Sequence, residues 1–424
     1  MTSTIKAVRG MYDTLPDASP CWRFLEQTVS QILTTYGYQQ IRLPIVEKTE
    51  LFERSLGETT DIVSKEMYTF ADRSGEMLTL RPEGTASCVR AGLEHGLFQT
   101  PALRLWYTGP MFRHERPQKG RLRQFHQIGV ETYGLTGPDI DAEIIMMSAR
   151  IWQRLGLNNL ELQLNSLGSN EARQNYRDTL VAYFQDHRSM LDEDSQNRLE
   201  KNPLRILDSK NPDMQTLVSK APSITDSLDT ESAEHFQKLK TLLDSVNIAY
   251  TVNPRLVRGL DYYNRTVFEW ITSELGSQGT VCGGGRYDSL VEKFGGPATP
   301  AIGFGMGLER LVSLIEQSPD ARVDHSAQVY FIVASDTAMP AALSLSERIR
   351  GELPGLRLVM HCGGGSFKSQ FKKADKSGAE FALIIGDNEL AQQRIGIKPL
   401  RTDEAQTEVA WTELADIIRQ RLNR

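Results

Sequence analysis

The residue pattern of this 424-residue chain changes twice, and these changes limit the folds that it can adopt. Up to about Ser166, strand-like segments alternate with two amphipathic helices. Residues 167–248 are polar and helix-leaning, with turn-forming Asn-Pro pairs, and strand-like sequence resumes at Tyr250. We therefore predict one strand-rich domain, residues 1–320, that carries residues 167–248 as a helical insertion.

A third pattern follows this domain. The strand-like segments QVYFIVAS, LRLVMHC and FALIIG alternate with helical segments at 338–350 and 367–377, and a last helix starts at Trp411. Such alternation is typical of a small α/β domain with a largely parallel sheet. We place this second domain at residues 325–424.

The first helix has recognisable ends in the sequence. Ser19 is predicted to cap it, Pro20 suits its first turn, and Gly37 suits the position just past its end. Other elements predicted before the insertion are a hairpin turning at Ser74-Gly75, strands at 103–107 and 124–133, and a helix at 139–155.

Composition excludes several classes of protein. The chain has no run of about 18 apolar residues, so neither a membrane span nor a membrane partner is expected. The segment MTSTIKAVRGMYD lacks the apolar stretch of a secretory signal. A net charge of −6 argues against a protein that coats nucleic acid indiscriminately, but leaves a selective RNA partner open. The four cysteines lie far apart, which predicts no zinc site and a reduced, cytoplasmic location: Cys21, Cys88, Cys282 and Cys362.

Three short stretches suggest a ligand site. The first is IRLPIVE at 41–47, the second is GPMFRHER at 109–116, and the third is GFGMGLERL at 303–311. The second stretch continues into a loop rich in arginine, and arginine binds phosphate oxygens in a bidentate way. A solvated basic turn is an alternative that composition leaves open. The glycines of the third stretch similarly suit turns and close packing, and Arg310 suits a helix surface.

In this order the three stretches resemble motifs 1, 2 and 3 of class II aminoacyl-tRNA synthetases. Two further stretches narrow the resemblance. LRPEGT at 80–85 resembles the loop that holds the α-amino group of the substrate, and LVRGLDYY at 256–263 resembles the signature peculiar to histidyl-tRNA synthetases. The resemblance is to the bacterial type and extends through GGGSFKSQFKKADKSGA at 363–379. Core packing is the alternative explanation for the paired tyrosines.

The resemblance implies a fold and an activity. The fold is an α+β catalytic domain built on an antiparallel sheet, with the helical insertion, followed by an anticodon-binding α/β domain. The activity converts L-histidine and ATP, with Mg²⁺ bound to ATP, into histidyl-adenylate and pyrophosphate. Histidine then passes to the 3′ end of tRNA(His). Pro44 lies in motif 1, which implies a homodimer.

Two rival functions share parts of this resemblance. A regulatory paralogue in histidine biosynthesis charges no tRNA, but it lacks the C-terminal domain and has degenerate catalytic motifs. The threonyl and prolyl enzymes are other class II synthetases, and the RGLDYY stretch and the absence of zinc-ligand spacing argue against both.

Residue roles follow from the resemblance. Arg113 and Arg258 would be catalytic, lying on opposite sides of the α-phosphate while the histidine carboxylate attacks in line. In this family the arginine at the position of Arg258 is thought to take the place of a metal ion. The residues implied for histidine binding are Glu83, Gly84, Thr85, Arg113, Gln127, Glu131, Arg258, Tyr262 and Tyr263. Those implied for ATP binding are Arg113, Glu115, Arg121, Phe125 and Arg310.

Within these groups the expected contacts differ. Glu83 and Thr85 would bind the ammonium group with help from Gln127, while Glu131 and the two tyrosines would read the imidazole. Phe125 would stack on adenine. In the second domain, lysines on one short helix either form a solvated face or contact RNA phosphates: Lys368, Lys372, Lys373 and Lys376.

Overall fold

The structure is a computed structural model of the chain. It describes residues 4–57, 60–118, 120–201, 203–207, 209, 211–276, 279–318 and 326–422. The chain divides into two compact units, Met1–Val323 and Asp324–Arg424. In the described ranges, no helix combines the length and the apolar character needed to cross a membrane.

The first unit is built on an eight-stranded sheet. Its strand order is β1-β5-β6-β11-β10-β9-β7-β8, and a separate small sheet has the order β2-β4-β3. The six central strands are antiparallel, and the short edge strands β1 and β8 run parallel to their neighbours. The strands of this unit are β1 (Gln39–Gln40), β2 (Val46–Lys48), β3 (Tyr68–Ala71), β4 (Met77–Leu80), β5 (Leu103–Phe112), β6 (Gln124–Tyr133), β7 (Glu161–Ser166), β8 (Thr251–Val252), β9 (Asn264–Ile271), β10 (Thr280–Arg286) and β11 (Ala301–Gly307). The predicted α+β fold on an antiparallel sheet is confirmed.

Helices cover this sheet and fill the insertion. The α-helices of the unit are α1 (Ser19–Thr35), α2 (Thr49–Leu56), α3 (Thr85–Glu94), α4 (Pro138–Leu155), α5 (Asn170–Asp186), α6 (Glu193–Lys201), α7 (Gln215–Ser219), α8 (Thr230–Ser245), α9 (Leu290–Lys293) and α10 (Leu308–Gln317). Between β7 and β8 the described residues form helices and turns only, as the sequence predicts for an insertion. The exact boundaries of the insertion remain a prediction.

The observed ends of the first helix agree with two of the predicted end residues and differ at one. Pro20 lies in its first turn and Gly37 follows its end with a φ of 79°. The predicted cap at Ser19 is wrong, because Ala18 occupies the capping position and the Ser19 hydroxyl donates to the Leu15 carbonyl at 3.0 Å. Its inner face is apolar as predicted, and the buried members are Leu25, Val29, Ile32 and Leu33. Burial of each such side chain stabilises the fold by about 1.5–3 kcal/mol.

A buried ionic cluster joins the insertion to the main sheet. Asp141 of α4 and Arg286 of β10 are both fully buried and lie 2.8 Å apart. His235 of α8 lies 2.8 Å from the same carboxylate, and Thr266 donates to it at 2.6 Å. Removing one member of such a pair leaves an uncompensated buried charge, which costs about 3–5 kcal/mol. The last helix of the insertion therefore packs as part of the catalytic unit.

One strand prediction was too long. The strand-like sequence predicted from Tyr250 onward includes RLVRGLDYY, but residues 253–263 form turns and irregular backbone, and β9 begins at Asn264. The adjacent glycine run does form a central strand. A Cβ on Gly284 would lie 2.2 Å from the Gly303 carbonyl oxygen, so only glycine permits this close approach of β10 to β11.

The second unit has a five-stranded sheet of order β13-β12-β14-β15-β16. Its elements are β12 (Val329–Val333), α11 (Met339–Glu352), β13 (Leu358–Met360), α12 (Phe367–Lys376), β14 (Phe381–Ile385), α13 (Asp387–Ala391), β15 (Arg394–Pro399), β16 (Thr407–Ala410) and α14 (Leu414–Leu422). The first three strands in this order are parallel, but β15 and β16 are antiparallel. The α/β class is confirmed, while the largely parallel sheet is corrected to a mixed one. The short connection through α13 returns the chain directly beside β14, which forces an antiparallel pairing.

Candidate active site

A cavity of about 890 Å³ opens in the first unit. Every site residue implied by the resemblance lines it except Gly84 and Glu131. The predicted residues in its wall are Glu83, Thr85, Arg113, Glu115, Arg121, Phe125, Gln127, Arg258, Tyr262, Tyr263 and Arg310. The fold therefore brings together residues that are up to about 230 positions apart in the sequence, although their roles remain predictions.

The first two motif stretches meet through one buried arginine. The Arg81 side chain is 2% exposed. Its Nε donates to the Pro110 carbonyl at 2.9 Å, and its Nη1 donates to the Leu43 carbonyl at 3.0 Å. Because a buried guanidinium needs its donors satisfied, these bonds fix the segment 41–47 against β5. Arg81 thus positions the wall of the cavity without lining it.

The β5–β6 hairpin presents the basic side of the cavity. Met111 and Phe125 pair across the two strands, next to the loop that holds Arg113. The Arg113 Nε donates to the Pro82 carbonyl at 3.0 Å, and its guanidinium lies 5.3 Å from the centre of the Phe125 ring. This contact holds the cation over the ring face. The remaining guanidinium nitrogens of Arg113 can then serve a ligand in the cavity.

Two further arginines extend this basic side. Arg121 lies 3.0 Å from the Glu115 carboxylate, and the Arg310 Nε donates to the Gly120 carbonyl at 3.1 Å. Arg310 also donates to the Thr280 carbonyl from its Nη1. Arg310 lies in the first turn of the helix α10, which directly follows β11, so the third motif contacts the loop of the second motif. Three arginines consequently line one wall, an arrangement suited to a polyphosphate.

Arg258 approaches from the irregular segment before β9. Its Nη1 donates to the Glu269 carboxylate, and its guanidinium lies 5.6 Å from the centre of the Tyr263 ring. The side chains of Arg258 and Glu269 are 17% and 18% exposed, so the pair lies in the cavity wall with limited access to water. Neither Glu269 nor its neighbour Thr280 was identified from the sequence.

Glu131 lies behind the cavity wall, not in it. It is 1% exposed and accepts hydrogen bonds from Thr85 at 2.8 Å, from Tyr107 at 2.9 Å, and from Tyr287. Burial raises the pKa of this carboxyl to about 8, and the three hydroxyl donors oppose that shift. In its ionised form this group has about four acceptor positions, and the three hydroxyls occupy three of them. The Thr85 hydroxyl, which was predicted to bind an ammonium group, is engaged with Glu131 in this structure.

Glu83 lies two residues before the start of the helix α3. Its two carboxylate oxygens accept from the backbone N–H groups of Thr85 at 2.6 Å and Ala86 at 2.9 Å. Burial raises the pKa of this carboxyl, while these N–H groups act in the opposite direction. A carboxylate at a helix N-terminus is favoured by the free N–H groups there. Glu83 therefore presents a fixed acceptor at the cavity wall.

Glycines around Tyr107 explain part of the glycine pattern in the sequence. A Cβ on Gly84 or Gly129 would lie 2.2 Å or 2.1 Å from the Tyr107 ring. A Cβ on Gly303 would lie 2.0 Å from a Glu131 carboxylate oxygen. Real Cβ atoms cannot approach so closely, so these glycines make room for the Tyr107–Glu131 contact. Close packing, the alternative given for the third stretch, thus accounts for Gly303, while the binding role of Gly84 stays a prediction.

A second pair of residues was missed. Glu309 of α10 accepts from the His126 backbone N–H at 2.8 Å and lies 3.0 Å from His126 Nδ1. Trp22 of α1 packs edge-on against the same imidazole, with ring centres 5.1 Å apart. The acid next to Arg310 was visible in the sequence, but its partner 183 positions away was not. This contact joins the third motif to the strand that carries Phe125.

Family models match most of the chain. The model of histidyl-tRNA synthetase matches residues 10–311, and the model of an anticodon binding domain matches residues 328–421. Over 422 residues the chain is 58% identical to a histidine–tRNA ligase from Hydrogenovibrio crunogenus, covering 100% of this chain and 99% of that protein. These matches extend through both compact units.

Two solved structures resemble this chain over almost its whole length. The crystal structure of apo histidyl-tRNA synthetase from S. aureus superposes with a TM-score of 0.80 at 36% identity, covering 98% of this chain and 100% of that one. A histidyl-tRNA synthetase from Nostoc sp. PCC 7120 has a TM-score of 0.73 at 21% identity, covering 99% and 100%. The second similarity supports the fold alone.

Proposed function

The chain belongs to the histidyl-tRNA synthetase family, and from this premise we propose how its residues carry out the reaction. The enzyme is a histidine–tRNA ligase, which forms histidyl-adenylate from L-histidine and ATP and then transfers histidine to tRNA(His). A non-charging regulatory paralogue is not favoured, because the identity to a ligase covers the full chain. The convergence of Arg113, Arg258 and Arg310 in one cavity is the observation that supports the chemistry.

The first step needs charge neutralisation more than proton transfer. The histidine carboxylate attacks the α-phosphate in line, and negative charge builds on the phosphoryl oxygens as pyrophosphate leaves. We assign Arg113 and Arg258 to the two sides of the α-phosphate, and Arg121 and Arg310 to the outer phosphates. The same phosphates would carry Mg²⁺ with the bound ATP, which would neutralise part of their charge. Phe125, already beneath the Arg113 guanidinium, is the surface for adenine.

The amino-acid pocket is the more enclosed side of the cavity. Glu83 supplies a fixed acceptor for the ammonium group, with Gln127 beside it in the wall. Tyr262 and Tyr263 line the wall and pack with ring centres 4.7 Å apart. Glu131 lies behind this wall, and we propose that it acts on the imidazole through the Thr85 and Tyr107 hydroxyls, which line the wall and donate to it. Burial of such donors and acceptors penalises an amino acid that lacks ring nitrogens, because the groups would stay unpaired.

The second unit, residues 325–424, is assigned to recognition of tRNA. Its α12 carries exposed lysines, and Phe367 at its start is 46% exposed and packs against Phe371 with ring centres 4.9 Å apart. Lysines neutralise phosphates, and exposed aromatic rings stack on unpaired bases. We propose that this face of α12 contacts the RNA. A cytoplasmic location accords with the four cysteines, which are all free thiols.

Amino-acid specificity is tested by ATP–pyrophosphate exchange with each amino acid in turn. We expect exchange with histidine, and rates for threonine and proline lower by on the order of 10⁴-fold, as for sites built around buried hydrogen-bonding groups. Purified tRNA(His) should then accept histidine from the same preparation. Exchange with threonine or proline would identify a different class II synthetase. A folded protein with no exchange at all would instead support the regulatory paralogue.

A homodimer is the expected assembly. Apolar side chains are exposed on the small sheet and on the residue just before β2. Ile45 is 41% exposed, Val46 39%, Phe70 43% and Met77 49%. Exposed apolar patches of this kind mark interaction sites, and motif 1 lies in the same region. Sedimentation equilibrium at micromolar concentration should give twice the chain mass of 47.7 kDa. Phe70→Glu should weaken the dimer at least tenfold, a cost of about 1.4 kcal/mol.

The matched control for this experiment is Leu343→Glu. Leu343 is 50% exposed in the second unit, so its replacement should leave the dimer unchanged. An active protein that sediments as a monomer would contradict the assignment of motif 1 to a dimer interface.

A further inference from the structure

We propose that Glu269, fixed by Thr280, is a positioning residue that holds the Arg258 guanidinium ready for the α-phosphate. The inference rests on the role of Arg258 proposed above. Glu269 lies on β9 and Thr280 starts the neighbouring strand β10. One Glu269 carboxylate oxygen accepts from Arg258, and the other accepts from the Thr280 hydroxyl at 2.9 Å. Both carboxylate oxygens are thus engaged by the protein.

The backbone opposite Glu269 also restricts the position of the Arg258 guanidinium. Gly283 is the direct partner of Glu269 in the β9–β10 pairing. A Cβ on Gly283 would lie 2.3 Å from Arg258 Nη1, so any larger residue would push the guanidinium from this position. The Tyr263 ring limits the guanidinium on another side, at 5.6 Å. A carboxylate, a bare backbone and an aromatic ring together define one location for the cation.

The Arg258 guanidinium depends on these contacts for its position, because the segment that carries Arg258 does not fix the side chain. Residues 253–263 are turns and irregular backbone, and a free arginine side chain loses rotamer entropy when it is fixed. A catalytic cation that must first be ordered contributes less to the transition state than a preorganised one. Glu269 performs this ordering before substrate arrives.

The hydrogen bonds of the pair leave room for a ligand. Arg258 Nε is buried and has no hydrogen-bond partner among the described residues. Nη1 donates to Glu269, whereas Nε keeps an unused donor position, so the pair does not use all the hydrogen bonds that the guanidinium can make. Glu269 therefore engages one nitrogen of the guanidinium, and we propose that the other nitrogens serve the α-phosphate. This division assigns Glu269 to Arg258 and not to the substrate.

Glu269→Gln tests the inference because it keeps the shape and removes the charge. Single-turnover adenylate formation should slow by about tenfold to a hundredfold, as for a misplaced catalytic group. The KM values for ATP and histidine should change less than about threefold, because the loss appears in the transition state. Thr280→Val should act in the same direction with a smaller effect. Glu274→Gln is the control, since Glu274 is exposed and contacts Asn159.

A double variant separates positioning from independent action. If Glu269 works only through Arg258, then Arg258→Ala with Glu269→Gln should be no slower than Arg258→Ala alone. A double variant slower by the full Glu269→Gln factor would overturn the proposal, as would a raised KM for histidine with an unchanged kcat. If Glu269→Gln matches wild type while Arg258→Ala is slow, the inference fails and the proposed function stands. If Arg258→Ala forms adenylate at the wild-type rate, the role proposed for Arg258 is itself wrong.

Folding is checked by melting curves of each variant. If Glu269→Gln fails to fold, Thr280→Val takes its place, because it keeps the charges of both Arg258 and Glu269. Its kcat then tests whether Glu269 positions Arg258. An unchanged kcat in folded Thr280→Val would then overturn the proposal.

Discussion

Arg258→Ala is expected to slow histidyl-adenylate formation by on the order of a hundredfold or more, as for loss of one preorganised charge donor. The KM for ATP should change only modestly, because Arg258 acts on charge that develops as pyrophosphate leaves. Transfer of preformed adenylate to tRNA should suffer less, since the tRNA hydroxyl attacks the histidyl carbonyl, AMP leaves, and no bond to phosphorus is broken. Rapid-quench measurement of adenylate under single-turnover conditions gives the rate directly.

Stability must be measured beside this rate, because Arg258 also balances Glu269. Its removal leaves a carboxylate that is 18% exposed without its cation, so some loss of melting temperature is expected. Arg255→Ala is the matched control: Arg255 lies in the same segment, is exposed, and donates to the Ser219 carbonyl at 3.0 Å. It should keep normal adenylation. A folded Arg258→Ala enzyme with near-normal adenylation would refute the assignment.

Elements with strong local signals could be predicted from the sequence. The strand at 124–133 agrees at both ends with β6, and the helix predicted at 139–155 is α4, which Gly156 ends with a φ of 71°. In both cases apolar spacing and a terminating glycine act within one segment. The segment RLVRGLDYY shows the opposite case. Its aromatic residues suit a strand, but they line the cavity wall, where tertiary contacts override propensity.

The motif residues that line the cavity could be identified from the sequence, whereas residues that reach it only through pairing between strands were missed. Glu269 lies beside Thr280 and Gly283 only because of the β9–β10 register, which no local pattern specifies. Glu309 and His126 meet for the same reason, through contact of α10 with β6.

The position of Glu131 shows a further limit of sequence reasoning. The resemblance assigned this carboxylate to the substrate pocket, but its burial depends on Tyr107 and Tyr287, which lie on other strands and loops. A carboxyl with its pKa raised to about 8 is a consequence of that enclosure. Only the folded structure shows how many of its acceptor positions remain for a ligand.

A chain that ends at Val323 is expected to keep histidyl-adenylate formation and to lose most or all tRNA charging. All described residues of the cavity wall belong to the first unit. Each unit also has its own buried core, with Leu25 and Phe268 in one and Phe331 and Leu383 in the other. The truncated unit should therefore fold and keep its cavity, as a compact domain with its own core can.

Charging should fall because we assign the contacts with the RNA to the second unit. Loss of those contacts is expected to lower kcat/KM for tRNA by on the order of a hundredfold, equivalent to about 2.7 kcal/mol of binding. Adenylation and melting of the same preparation control for folding. Within the full chain, Lys368→Ala with Lys372→Ala should weaken tRNA binding and reduce its salt dependence, because each lysine that neutralises a phosphate contributes to that slope. A soluble truncated protein that charges tRNA normally would show that the second unit is not the domain that recognises tRNA.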